Sequence, residues 1–423
     1  MKKNKKQDSQ AEKTIFIQIA SYRDPELIPT LQDCLKNAKY PENLRFGICW
    51  QHGPEENLNE YINDPRFKII DIPYLESKGA CWARHLIQQK YDGEMYTLQL
   101  DSHHRFIKNW DVECITMLED LQKDGFKKPL LTSYISSYNP KNDPADRVTV
   151  PWKMNFDRFI PEGAVFFLPA SIDDFTTRKK PLRGRFYSAH FAFTLGQFCK
   201  EVPHDPDYYF HGEEISIAVR AFTNGYDIFH PHKIIAWHEY TRVGRTKQWD
   251  DVKDWGKHNE QCHAKNRRLF GMDGELRATD FGIYGFGTER TLEEYEKYAG
   301  IRFKTRSVQQ YTIDHNEPPN PLYGTKEEYE NSFLKIFKHC IDIGFHQVPE
   351  KDYDFWVVAF HDKENNTLHR RDAEPGEISH MMIDPDGYCK VWREFQTAEK
   401  PAYWVVWPHS KSKGWCERIT GNL

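Results

Sequence analysis

Between residues 14 and 121 the chain alternates two kinds of run at short spacing, and this restricts its folds more than any other feature. Runs 14–20, 44–50, 67–72 and 95–100 are short, apolar and rich in β-branched and aromatic residues, which predicts strands. Between them, Leu27, Ile28, Leu31, Cys34, Leu35 and Ala38 recur at helical spacing, with Asp24-Pro25 ahead of them as N-cap and first helical residue. Runs 78–89 and 109–121 read as further helices. Alternation of this kind predicts an α/β sheet of mostly parallel strands with helices on its faces.

Further on, strands are predicted at 130–135, 186–197, 226–230 and 234–238, and a helix at 215–223 ahead of an Asn224-Gly225 turn. The stretch 136–185 is long, polar and Pro-containing, and reads as loop with some strand. Helical signals recur at 249–266 and 292–298. Composition changes after Pro321. Runs 355–360, 377–383, 389–395 and 403–407 read as short strands of a sandwich or partial barrel. The expected division is a basic tail (1–12), an α/β domain (13–320) and a β-rich accessory domain (334–423).

The formal net charge of −5 gives no global electrostatic reason to expect a nucleic-acid partner. The apolar run 14–20 is too short for a membrane span, and the charged start has no apolar segment behind it that would make a secretory signal. Nine scattered cysteines without a Cys-X-X-Cys pair point to reduced thiols in a cytoplasmic protein. Twelve Trp, 22 Tyr and 27 Phe suit either core packing or stacking on sugar faces. There is no Walker A sequence, no Gly-X-Gly-X-X-Gly after a strand, no Ser nucleophile elbow and no His-Glu-X-X-His helix.

Chemistry is suggested by LQLDSHHRF (98–106). Asp101 falls at the carboxyl end of a predicted strand, where open α/β sheets hold ligands. His103 lies two residues on, on the same face if the strand continues, so the two could share a cation. A carboxylate with an imidazole suits Mn²⁺ or Mg²⁺ and leaves room for phosphate oxygens; a solvated strand end fits the same residues. His238, after another predicted strand, is a candidate third ligand or a polar strand end. Glu213 and Glu214 follow Gly212 at the start of a helix, where acidic side chains also suit the helix dipole. Arg84, on the helix before the Asp101 strand, could pair with a phosphate or be a solvated helix charge. In Tyr22-Arg23-Asp24, just after the first strand, Tyr22 could stack on a base and Arg23 pair with it, or the three form a plain capped loop.

Together, TIFIQIASYRDPEL, KGACWARHLIQQKYDGEMYTLQLDSHHRF and FHGEEISIAVRAFTNGYDIFHPHKIIAWHEYTR resemble the N-acetylglucosaminyltransferases that modify hydroxyproline on a cytoplasmic ubiquitin-ligase adaptor. The resemblance spans about residues 14–310. More distantly the chain is similar to mucin-type polypeptide N-acetylgalactosaminyltransferases. The resemblance implies an α/β fold of GT-A type, a UDP-sugar donor, a divalent cation and retention of anomeric configuration. It implies Asp101, His103 and His238 as metal ligands, Glu213 with Glu214 beside it at the donor sugar, and Arg84 with Tyr22, Arg23 and Asp24 near the nucleotide. Phe210-His211-Gly212 replaces the mucin-type Trp-Gly-Gly, which fits GlcNAc better than a galacto sugar. The implied acceptor is a hydroxyl on a protein (hydroxyproline or Ser/Thr). A surface polysaccharide or lipid-linked glycan as acceptor, and a non-catalytic carbohydrate- or nucleotide-binding protein, are the alternatives.

Overall fold

A computed structural model describes residues 13–160, 162–242, 244–272, 281–383, 387–397 and 399–423. The expected basic tail, 1–12, lies outside the described residues. The chain forms two compact units: one runs up to Lys304 and includes Tyr311–Pro321, the other comprises Thr305–Gln310 and Leu322–Leu423.

Twelve strands of the first unit matter for the site: β1 (Ile15–Tyr22), β2 (Leu44–His52), β3 (Phe67–Pro73), β4 (Tyr96–Asp101), β5 (His104–Phe106), β6 (Lys128–Thr132), β7 (Trp152–Phe159), β8 (Val165–Ser171), β9 (Leu182–Arg183), β10 (Phe191–Leu195), β11 (Tyr226–His230) and β12 (Ala236–His238). Eight of them form one sheet in the order β3-β2-β1-β4-β10-β6-β11-β9. Strands β3, β2, β1 and β4 are parallel neighbours. The expectation of a mostly parallel sheet needs correction beyond that point. β10 runs antiparallel to both β4 and β6, and β9 runs antiparallel to β11. Periodicity reports which face a residue takes and is silent on strand direction. The polar stretch 136–185 holds the antiparallel hairpin β7–β8.

Both sheet faces are covered. Ile15, Ile17 and Ile19 of β1 join a core with the helices Leu27–Asn37 and Trp110–Lys123. Phe16 points the other way, toward Ala83 and Ile87 of the helix Ala80–Gln88. Gly47 makes that packing possible: a Cβ there would lie 2.6 Å from Phe16 Cζ. The chain passes from β1 to β2 and β3 on one side and places β4 on the other, so a topological switch point falls between β1 and β4. Ala20 pairs with Asp101 there. A crevice outside the carboxyl ends at such a point is where α/β sheets bind ligands.

The second unit is β-rich. Phe333–Gly344 pairs antiparallel with Tyr388–Thr397, and Tyr353–His361 with Tyr403–Ser410. Its core gathers Ile341, Ile343, Trp356, Val358, Phe360, Val391 and Val406. Run 377–383, predicted as strand, is largely helical: Pro375 at the first helical position starts a helix, Pro375–Met381.

Candidate active site

The backbone places three side chains together at the end of β4. Asp101 closes the strand. The strand does not continue through His103 as the two-residue alternation requires; Ser102 and His103 form a bend before β5. Thr30 holds that bend, donating from Oγ1 to Ser102 O at 2.9 Å and accepting from His104 N at 2.9 Å. β12 then pairs antiparallel with β5, with His238 opposite His104, and brings in the third side chain. Asp101, His103 and His238 each offer a ligand atom, all within 4.8 Å of one another. Both Nε2 atoms face the same carboxylate oxygen, Asp101 Oδ2, at 3.7 Å for His103 and 3.4 Å for His238.

The surroundings prepare these groups for a cation. His103 Nδ1 lies 2.7 Å from Asp24 Oδ2, the carboxylate–imidazole pairing that orients a metal-binding histidine. Asp24 is therefore no N-cap: the helix begins at Leu27 with Glu26 as its cap, and Asp24 is buried. Its carboxylate also accepts from Ser102 Oγ at 2.7 Å and Arg245 Nη1 at 3.3 Å. Burial pushes His238 well below its ordinary range, more than the hydrogen bond to Asp101 restores. Burial does the same to its neighbours His104 and His190. A neutral imidazole keeps the lone pair that a cation needs. Burial alone would raise Asp101, yet the His238 hydrogen bond and the Arg84 charge hold it well below the usual carboxylate range. A carboxylate with two imidazoles is a donor set that fits Mn²⁺ or a related divalent ion. His238 is held by its stack on His190, 4.2 Å between ring centres, and by the edge of Tyr240 at 4.3 Å.

The trio stands between two cavities. One, of about 180 Å³, is lined by Tyr22, Asp24, Gln51, Gly79, Arg245 and Trp249 among others. The second, of about 350 Å³, is lined by Arg84, Tyr134, Phe166, His211, Glu213 and Glu214 among others. Asp101 and His238 line both. Arg84 is buried and bridges the two carboxylates, with Nη2 3.0 Å from Asp101 Oδ1 and Nη1 3.7 Å from Glu213 Oε1. Burial pushes both Glu213 and Glu214 up; the Glu214 charge adds to this for Glu213 with Arg84 opposing, and in Glu214 the hydrogen bonds from Ala189 N and Tyr134 and the Arg84 charge oppose it. Their positions differ. Glu214 accepts from Ala189 N and Tyr134 Oη, both at 2.9 Å, whereas Glu213 keeps its carboxylate toward Arg84 and the cavity.

The Tyr22–Asp24 loop divides. Tyr22 lines the smaller cavity and donates to Asp251 at 2.6 Å. Arg23 lines neither cavity; it pairs with Asp251 at 3.0 Å and lies 4.4 Å over the Tyr74 ring. Sequence reasoning missed Arg242, Arg245 and Trp249. Arg245 ties Asp24 to the buried Glu239, 2.7 Å from Nη2. Arg242 lies over the rings of Phe210 and Trp249 and lines both cavities. The one signal available was the arginine-rich run directly after His238.

A family model described as Glycosyltransferase (GlcNAc) matches residues 14–64 and 54–305, more than half of the chain. The chain belongs to the GlcNAc glycosyltransferase family. No curated protein matches its sequence. Among solved structures, it is similar to GalNAc-T7 with UDP, GalNAc and Mn²⁺ at 14% identity, TM-score 0.41, over 67% of this chain and 54% of that one. The chain thus spans about half of GalNAc-T7. It is also similar to S. aureus TarS at 12% identity, TM-score 0.33, over 97% of this chain and 77% of that one. The eight-stranded α/β sheet flanked by helices agrees with the fold class expected from the sequence. No helix among its described residues is long and apolar enough to cross a membrane.

Proposed function

We propose that the chain is a metal-dependent, retaining transferase that moves GlcNAc from UDP-GlcNAc to a hydroxyl on a protein acceptor. The convergence of Asp101, His103 and His238 between two cavities carries this reading. Those three residues would hold Mn²⁺ or Mg²⁺, which when bound offsets the charge of a departing diphosphate. Tyr22 would stack on the base, with the smaller cavity holding the nucleoside. Glu213 would accept from sugar hydroxyls in the larger cavity. Arg84 keeps Glu213 and Asp101 close without their mutual repulsion, and Glu214 fixes the turn through Ala189 and Tyr134. Arg23 would act on the nucleotide only through the Tyr22–Asp24 loop that it pins to Asp251. Retention needs no protein nucleophile if the acceptor attacks on the face that UDP leaves and the leaving phosphate takes the acceptor's proton. Residues 13–320 would carry this chemistry, with 334–423 as an accessory domain. Nine free cysteines fit a cytoplasmic location.

The test is UDP release from a panel of nucleotide sugars, each with Mn²⁺, Mg²⁺ or EDTA, for wild type and Asp101→Ala. Metal-dependent release selective for UDP-GlcNAc and lost in Asp101→Ala is expected. No release and no metal-dependent UDP binding by calorimetry would sink the reading.

A further inference from the structure

Three consecutive residues of β8, Val165, Phe166 and Phe167, line the larger cavity. Side chains of a strand alternate between faces, so what three in a row share with one cavity is the strand's edge. Among the described residues β8 pairs only with β7, in a sheet of two strands. The bonds from Ile172 N to Pro151 O and from Ile160 N to Ala164 O, both 2.9 Å, fix the phase of that ladder. Between them the even-numbered residues of β8 bond to β7, and the irregularity of β7 between Phe156 and Arg158 leaves this phase unchanged. Val165 and Phe167 therefore turn their N–H and C=O groups to the free edge.

Those two residues are buried, Val165 at 4% and Phe167 at 9% exposure, yet among the described residues none of the four groups has a hydrogen-bond partner. A buried backbone group left unpaired costs about 1–3 kcal/mol, and folded chains pair nearly all of them. Four such groups on one cavity wall point to a ligand that brings amides of its own. Val165 and Phe167 recur at ~6.8 Å along the edge, a donor and an acceptor at each, which is the repeat of alternate residues on an adjoining strand. The hydroxyls of a sugar ring have no such repeat. Pro169, next in phase, has no N–H and ends the edge after Phe167. On the other face of β8, Phe166 and the exposed Leu168 add apolar surface beside the edge.

We propose that the acceptor is an extended stretch of polypeptide that adds to β8 as a third strand, exchanging backbone hydrogen bonds with Val165 and Phe167. The proposal rests on the transferase reading above and names how a protein acceptor is held. The same cavity contains Glu213, Asp101 and His238, so a hydroxyl on the added strand comes to the donor sugar. Recognition through the main chain tolerates varied sequence around that hydroxyl and demands an extended, unpaired segment to carry it.

The experiment measures UDP release from UDP-GlcNAc in Mn²⁺ by the wild-type chain, with calorimetry of UDP alongside. The acceptors are capped synthetic peptides with a central Thr, Ser or hydroxyproline, and chitotriose and maltotriose for comparison. In the best peptide a single N-methyl group is then moved from residue to residue. Methylation should lower kcat/KM for the peptide about tenfold or more at alternate positions beside the hydroxyl, and by less than about twofold at those between. Val165→Pro removes one N–H of the free edge and none of the ladder to β7. It should cost the unmodified peptide about tenfold and shrink the penalty at the methyl position that faces residue 165. A loss without alternation overturns the proposal and spares the transferase reading. So does release accelerated by a saccharide and by no peptide. An alternation that a folded Val165→Pro leaves unchanged overturns the assignment to β8; should that variant fail to fold, the scan on wild type still decides between strand addition and its absence. A wild type with neither UDP release nor metal-dependent UDP binding overturns the underlying reading as well.

Discussion

Arg84→Met tests the charge balance at the centre of the site. The Arg84 side chain is 6% exposed, so its pairs with Asp101 and Glu213 belong to the buried class rather than the screened surface class. Methionine keeps much of the bulk and removes the charge. Deleting one partner of a buried pair typically costs about 3–5 kcal/mol, because a charge is left unpaired. Two features place this case near the lower end. Burial and Glu214 push Glu213 up to about 8 with Arg84 in place, so it already holds most of a proton at neutral pH and little charge is stranded there. Asp101 keeps His103 and His238 beside it. A loss of about 3 kcal/mol follows at pH 7.5 and at pH 5.5 alike, because the charge left unpaired is that of Asp101, ionised at both. Urea unfolding followed by tryptophan fluorescence would read it, in EDTA so that no cation replaces the guanidinium. Saturating Mn²⁺ should narrow the gap between the two proteins. A loss below about 1 kcal/mol in EDTA, or one that differs by more than about 1 kcal/mol between the two pH values, would refute the reasoning.

Other expectations are simpler to state. Mn²⁺ at about a hundred times its dissociation constant should stabilise wild type by about 2.7 kcal/mol and leave Asp101→Asn unmoved, read as a thermal shift. Burial holds His230 down to about 4 from 6.5, its Nδ1 2.7 Å from Thr132 O. The unfolded chain binds the extra proton between those values, so His230's contribution is complete above pH 6.5 and is lost as pH falls toward 4. That descent is worth about 3 kcal/mol, and His230→Asn should flatten this part of the stability–pH curve by up to that amount. Gly212→Ala should cost about 2 kcal/mol or more in urea, from the positive φ and the displaced Asn266, and should slow UDP release. Glu214→Gln can still accept from Ala189 N through Oε1 and donate from Nε2 to Tyr134 Oη, so its UDP release should remain within a few-fold of wild type, whereas Glu213→Gln should lose about 10-fold or more. Equal effects of the two would remove the distinction drawn between the carboxylates.

How much of this was visible in the chain depends on the range over which each signal acts. Strands such as β1 and β11 and the helix after Gly212 were legible because their apolar periods are local and uninterrupted. Asp101 was legible as a ligand candidate because strand end and residue type coincide. The antiparallel insertion of β10 was not, since Phe191–Leu195 reads identically in either direction. Run 377–383 misled because Ile378, Met381, Met382 and Ile383 suit either element; Pro375, just before it, was the signal for a helix. Asp24 looked like a helix cap, and one oxygen does accept from Glu26 N; the other faces His103 and Arg245, which are distant in sequence. Arg242, Arg245 and Trp249 matter through what they lie against, which no local pattern encodes.

The three-residue ladder between β5 and β12 has a consequence for how this centre tolerates insertion and deletion. His238 is opposite His104, and its own backbone is bonded on the other side, to Ser136 O at 3.0 Å and from Tyr138 N at 3.2 Å. Losing one residue from 104–106 or 236–238 would turn every later side chain of that strand to the opposite face. A deletion scan should therefore find these two short stretches as intolerant as the three candidate ligands, although Phe106 and Ala236 offer no atom to a cation. Whoever grafts the centre onto another sheet must copy the alignment of those strands before choosing any side chain.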